Sequence, residues 1–154
     1  PISTRGNYGK LKSTFKAIQK SKDLELQIII AGGLVLDRYG DFREIIKNDG
    51  FEISGELPFL LDGDSTETIS ISSGLAQMQF SRYLAKLSPD IVFITADRFE
   101  ALAFAQTALC MNCTIAHLEG GEVSGSIDER IRHAITKLSH IHFVLNALVL
   151  LVQP

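Results

Sequence analysis

The sequence predicts an α/β fold, a Rossmann-like, doubly wound and mostly parallel sheet. Three observations predict it. Short apolar runs alternate with amphipathic helical stripes along the whole chain. Ile91-Val92-Phe93-Ile94 is continuously apolar, the pattern of a strand covered on both faces. Glycines and acids gather directly after strand-like runs, where this architecture holds its ligands. The 154 residues, 16.9 kDa, give room for one ordinary domain with one core.

The elements follow in order. Ser3 to Gly9 reads as a polar loop, and from Lys10 the stripe Leu11, Phe15, Ile18 reads as a helix. Leu24 to Ala31 predicts a strand stopped by Gly32-Gly33. Tyr39 to Asn48 predicts a short helix, and Phe51 to Ile53 a short strand. Glu56 to Asp64 predicts a loop. Ser65 is placed to cap a long helix reaching Leu87, with Glu67 adding favourable charge to its first turn. Ser88-Pro89 ends that helix ahead of the Ile91 strand. Phe99 to Met111 predicts a helix, Thr114 to His117 a strand, Gly120 to Gly125 a loop, Asp128 to Leu138 a helix and Ile141 to Leu145 a last strand. The alternation calls for parallel strands joined by right-handed crossovers.

Composition narrows the function. A hydrophobic fraction of 45% against 21% charged residues is that of a folded globule. A net charge of −3 and a pI near 5.8 argue against a nucleic-acid-binding face. No apolar run reaches the ~18 residues of a membrane helix, and the start Pro1-Ile2-Ser3-Thr4-Arg5 has no leader-like apolar stretch. Two cysteines suit a reducing compartment. The expectation is a soluble, cytoplasmic protein without membrane or nucleic-acid partners.

Three segments carry potential chemistry. Thr4 to Lys10 offers a glycine-containing turn into a helix, with Arg5 and Lys10 as cations, which suits a phosphate or is simply a solvated loop. It is neither a G-x-G-x-x-G nor a P-loop sequence. Thr95-Ala96-Asp97-Arg98 follows the Ile91 strand, so Asp97 stands either at a site or as a helix cap. His117 to Glu129 again follows a strand and precedes a helix. Within it Ser126 and Glu129 have capping-box spacing and Asp128 favours the helix dipole, whereas Glu119 has no capping explanation. Carboxylates converging on one crevice can divide proton removal and proton donation between them. His140 and His142 alternate on one strand and read as structural, since two histidines make an incomplete metal site. His133 stands mid-helix. Cys110 and Cys113 have C-x-x-C spacing without a second pair and read as buried small residues.

Taken together, Glu119-Gly120-Gly121-Glu122-Val123-Ser124-Gly125, Ile131-Arg132-His133-Ala134-Ile135-Thr136-Lys137-Leu138, Tyr8-Gly9-Lys10-Leu11, Asp37-Arg38-Tyr39-Gly40 and Pro89-Asp90-Ile91 resemble the hydrolysing UDP-N-acetylglucosamine 2-epimerases. The resemblance is to the sialic-acid-pathway branch and runs over about residues 3 to 144. It implies the N-terminal half of a two-domain GT-B fold, with residues 1–144 as a Rossmann-like domain whose opening strand is clipped. Residues 145–154 form an apolar tail outside the likeness, and the C-terminal domain with most UDP contacts is missing. It implies elimination of UDP to a 2-acetamidoglucal, then hydration to N-acetylmannosamine, with no metal or nicotinamide cofactor. Asp97, Glu119 and Asp128 are the implied acid/base carboxylates. Arg5, Lys10, Arg98, Glu122, Arg132 and His133 are the implied substrate-binding residues. A homo-oligomer is implied by analogy, and the chain alone is expected to lack turnover.

Three departures from the family pattern stand out. Ala96 replaces a usual glycine, Asn7 a usual acid and Leu34 a common histidine. Two other functions fit the same architecture: a GT-B glycosyltransferase domain, and a non-catalytic truncated module that binds sugar nucleotides.

Overall fold

The computed structural model describes residues 1–144, so the expected apolar tail at 145–154 and the predicted end of the last strand at Leu145 lie outside the described residues. Among those residues all strand pairing is parallel, which bears out the predicted α/β class. The pairing forms two ladders, and the chain divides into two compact units, Pro1–Pro58 and the part from Phe59 onward.

The first unit opens with α1 (Arg5–Lys20). The helix begins five residues earlier than its apolar stripe suggests, so the predicted loop at Ser3–Gly9 is mostly helix. Thr4 supplies the cap, its hydroxyl accepting from the Asn7 amide, and buried Tyr8 extends the apolar face of Leu11 and Phe15 by one turn. These contacts outweigh the ~1 kcal/mol that each of Gly6 and Gly9 costs inside a helix. The strand β1 is only Ile29–Ala31, because Leu24 is 57% exposed and has no sheet to join. Ile2 bridges Ile30 in parallel. After two 3₁₀ turns, at Gly32–Val35 and Asp37–Tyr39, Asp41 caps α2 (Phe42–Asn48). The second strand, β2, is Gly55–Leu57 in place of the predicted Phe51–Ile53, since Phe51 turns into an aromatic cluster. Tyr8 meets Phe42 edge-on at 5.2 Å and Phe15 meets Phe51 at 5.8 Å. Leu34, expected at a position where a histidine is common, is part of the buried core.

The second unit begins with α3 (Thr66–Leu87), capped by Ser65 as predicted. β3 (Ile91–Thr95), α4 (Phe99–Cys110), β4 (Thr114–Leu118), α5 (Ile127–Leu138) and β5 (Ile141–Phe143) follow, with β4 in the middle of the ladder. The core holds Phe80, Phe104, Ile94, Ile115 and Ile135, with Phe80 and Phe104 rings 4.9 Å apart. Ser88 ends α3 in the left-handed conformation, at φ 45°. Cys110 is exposed at the end of α4 and Cys113 is half-buried, and both are free thiols. The expectation of two buried cysteines therefore fails: the last turn of α4 projects Cys110 outward, and Cys113 is only half-buried. Among the described residues no helix is long and apolar enough to cross a membrane.

Candidate active site

Parallel pairing decides which side chains share an edge. Thr95 pairs with Leu118, so the carboxyl ends of β3 and β4 lie side by side. Asp97 follows one by two residues and Glu119 follows the other directly. Both strand exits bend through left-handed backbone: Ala96 has φ 69° and Glu119 has φ 67°. That region costs an L-residue ~1–2 kcal/mol. Glycine would adopt this φ freely, and the Ala96 methyl is tolerated at an energetic cost. The Glu119 amide is held by the Phe143 carbonyl at 3.0 Å, which ties the turn to the end of β5.

Arg132 closes the edge from the side of α5. One terminal nitrogen donates to the Asp97 carboxylate and the other to the Glu122 carbonyl at 2.6 Å. The guanidinium is buried, and a bidentate donor in that position fixes both the acid and the loop. Asp97 is thus an ion-paired acid and not the cap of α4, whose N-cap position is Arg98 without a side-chain cap bond. Asp128 stands half-buried one turn before Arg132, and i, i+4 spacing puts the two on one helix face. Arg132 therefore joins Asp97 and the Glu122 backbone beside the carboxyl edge of β3 and β4, with Glu119 at the exit of β4 and Asp128 one turn before Arg132 on α5.

The other predicted residues are placed differently. Glu129 reaches back to the amides of Ser124 and Gly125, which hold its carboxyl below the usual range, Gly125 foremost. The reciprocal half of the expected capping box is missing, as Ser126 makes no side-chain cap bond. His133 lies 3.9 Å from Glu129, one turn along α5. Arg98 donates through Nε to Glu100 at 2.8 Å and rests over the Phe99 ring. Arg5 and Lys10 belong to the first unit. Arg5 donates to the Tyr39 carbonyl and sits over Phe42, and Lys10 lies in the second turn of α1, past the helix N-terminus. The glycine-containing phosphate cradle expected at Thr4–Lys10 is replaced by regular helix. Asn7, where the family usually has an acid, is buried with its side chain accepting from the Thr4 hydroxyl.

Two groups escaped sequence reasoning. Glu100 is 3% exposed with one oxygen lacking a partner among the described residues. An acid in a first helical turn reads from sequence as a dipole complement and nothing more. His117 is fully buried in β4, with Nδ1 hydrogen-bonded to the Thr136 hydroxyl at 3.2 Å and Nε2 without a partner among the described residues. Burial pushes its imidazole down to about 4. His140, read as structural, is so: its Nδ1 accepts from the Ile115 amide at 3.1 Å. Among the described residues no three His, Cys, Asp or Glu side chains are grouped to hold a metal ion.

Residues 16–148 match the protein family described as UDP-N-acetylglucosamine 2-epimerase. The chain belongs to that family. Among curated relatives of this epimerase-family chain, a Campylobacter jejuni GDP/UDP-N,N'-diacetylbacillosamine 2-epimerase (hydrolyzing) is 40% identical over 144 residues, 92% of this chain and 37% of the relative. A Legionella pneumophila UDP-N,N'-diacetylbacillosamine 2-epimerase (hydrolyzing) is 38% identical over 141 residues, and a Neisseria meningitidis UDP-N-acetylglucosamine 2-epimerase 36% over 143, covering 92% and 93% of this chain. The chain thus spans about 37% of the length of these curated relatives. The solved UDP-GlcNAc 2-epimerase of Methanocaldococcus jannaschii, in complex with UDP-GlcNAc and UDP, aligns with TM-score 0.81 at 20% identity, covering 98% of this chain and 41% of that one. At such identity the likeness speaks for the fold, and it agrees with the Rossmann-like half of a GT-B arrangement.

Proposed function

We propose that this chain forms one wall of the active site of a hydrolysing UDP-N-acetylglucosamine 2-epimerase, which yields N-acetylmannosamine and UDP. The observation that carries the reading is the gathering of Asp97, Glu119 and Asp128 at one strand edge in a chain of the epimerase family. In this reading a carboxylate takes the C2 proton. The C1–O bond breaks, its electron pair leaves with UDP, and a C1–C2 double bond forms the 2-acetamidoglucal. Water then adds, its hydroxyl to C1 and a proton to C2 from the opposite face. Two proton transfers at one carbon suit several acids of different environment. Here Asp97 is paired with Arg132, which gives it a surrounding of its own.

Arg98, Glu122 and His133 contribute to sugar-nucleotide binding in this reading. Arg132 acts on Asp97 and the Glu122 loop instead of on substrate. Residues 1–144 are proposed as the N-terminal domain, and a second Rossmann-like domain supplies the opposite wall. Alone, a one-sided cleft neither orients substrate nor excludes water, so the 154 residues are expected to show no turnover. The reading carries with it a cytoplasmic setting, a place in sialic-acid formation and a homo-oligomeric enzyme.

One observation favours a second substrate. The Campylobacter and Legionella relatives are named for UDP-N,N'-diacetylbacillosamine. Incubating the full-length enzyme with each sugar nucleotide and identifying the free sugar by NMR separates the two. Sugar appearing on an acceptor, with no free 2-epimer, would instead support a glycosyltransferase. Absence of any turnover by the full-length enzyme would support the non-catalytic module.

A further inference from the structure

We propose that His117 is a positioning residue for the proposed site, acting through Thr136 on Arg132 and through Arg132 on Asp97. The inference rests on the epimerase reading only for what Asp97 does; the linkage itself is geometric.

The chain of contacts is continuous. The Thr136 hydroxyl hydrogen-bonds His117 Nδ1 at 3.2 Å and donates to the Arg132 carbonyl at 2.9 Å. Arg132, one turn earlier on α5, grips Asp97 and the Glu122 carbonyl. A hydroxyl has a single proton. When Thr136 gives it to Arg132, the hydroxyl oxygen is left to accept from the imidazole Nδ1–H. Burying a polar ring costs stability unless its hydrogen bonds are made, and the Thr136 hydroxyl makes one of them.

Packing makes the contact specific. A Cβ added at Gly120 would lie 2.8 Å from the Thr136 hydroxyl oxygen and 2.9 Å from His117 Nδ1, so the loop backbone rests directly on this hydrogen bond. Gly120 follows Glu119, and the loop it opens is held at Glu122 by Arg132. His117 therefore stands where β4, α5 and the 119–122 loop meet. Shifting Thr136 moves both the helix that aims Arg132 and the turn that carries Glu119.

The experiment follows the Arg132 side chain in the full-length protein. Hydrogen exchange of its guanidinium is read by NMR in His117→Phe, His117→Asn and Thr136→Val, with melting measured alongside. Phenylalanine fills the space without a polar atom, and asparagine returns one near the place of Nδ1. His117→Phe and Thr136→Val should each speed Arg132 exchange about tenfold, and His117→Asn should bring it back to within about twofold of the parent. The double variant His117→Phe/Thr136→Val should be no worse than either single one, because both break the same link. With substrate, His117→Phe should lower kcat about tenfold with KM within about twofold. Unchanged Arg132 exchange in Thr136→Val overturns the proposal, even if His117→Phe fails to fold. A lower kcat with undisturbed Arg132 exchange overturns it as well. A parent enzyme without turnover sinks the functional reading alone, since the exchange measurement still decides the linkage.

Discussion

The two compact units use their polar side chains in opposite ways. In Pro1–Pro58 they fasten chain to chain. Tyr8 and Lys12 both reach Asp49 at 2.6 Å, and Arg43 clamps Glu56 with two bonds of 2.7 Å. Lys12, then Tyr8, hold the Asp49 carboxyl below its ordinary value, and Arg43 does the same for Glu56. From Phe59 onward the described residues contain all the non-glycine positive-φ positions, Ser88, Ala96, Asn112 and Glu119. They also contain all the unpartnered buried side-chain atoms, on Thr95, Glu100, His117 and His142. Ser88 and Asn112 follow helix ends, where left-handed backbone is common. Ala96 and Glu119 have no such reason and flank the candidate site. Strain and idle polar groups concentrated at one sheet edge are what a site selected for chemistry keeps, and a unit selected for cohesion discards.

The strongest way to break this contrast is at the acids. Asp97→Asn or Glu119→Gln in the full-length enzyme should lower kcat by about a thousandfold; melting should change little in Glu119→Gln and fall in Asp97→Asn, which leaves the buried Arg132 without its carboxylate. Near-normal rates in both would leave the strained edge without a purpose. Acid titration sharpens the contrast next. An unfolded histidine takes its proton near 6.5, whereas His117 takes one near 4. Between those values the unfolded chain binds more protons, so the stability contributed by the neutral ring is complete above about pH 6.5. It is lost as pH falls toward 4, by up to about 3 kcal/mol. The backbone of Ala96 and, less, Asp97 oppose this shift, and His142 and Arg132 add to it. Asp49 and Glu56, with lowered values, give stability that is lost only at more acidic pH, below the ordinary carboxylate range. Urea midpoints measured from pH 7 down to 4 should therefore fall in the parent and stay flatter in His117→Phe.

Smaller effects separate the units further. Tyr8→Phe removes a hydrogen bond to a carboxylate and should cost about 2 kcal/mol of stability with turnover unchanged, read by denaturation and by assay. Ala96→Gly should raise stability by about 1 kcal/mol through relief of the left-handed strain. A loss of stability in Ala96→Gly would mean that the methyl packs well enough to offset its backbone.

The sequence was most readable where local chemistry and tertiary placement agree. Ser65 capping α3, the Ile91 run as β3 and the acids after β3 and β4 could all be inferred from residue order, because each is a short-range pattern. The start of α1 was hidden by Gly6 and Gly9, whose low helix propensity is overruled by Tyr8 docking among Phe15, Phe42 and Phe51. β2 at Gly55–Leu57 has no strand-like composition and exists through pairing with β1. At the site, Asp97 and Glu119 could be named in advance, but Arg132 bonding to Asp97 spans 35 positions along the chain and no spacing rule reaches that far. His117 stayed hidden for the opposite reason. In a buried strand it occupies a core position, and only the nearby Thr136 hydroxyl reveals it as polar machinery.

Gly120 leads to a consequence for descent. The hydrogen on its α-carbon is all the room that the Thr136 oxygen and the His117 ring concede. A lineage altering residue 120 must first have shrunk residue 117 or 136. Changes at these three positions should therefore be inherited as a set, with the glycine the last to go.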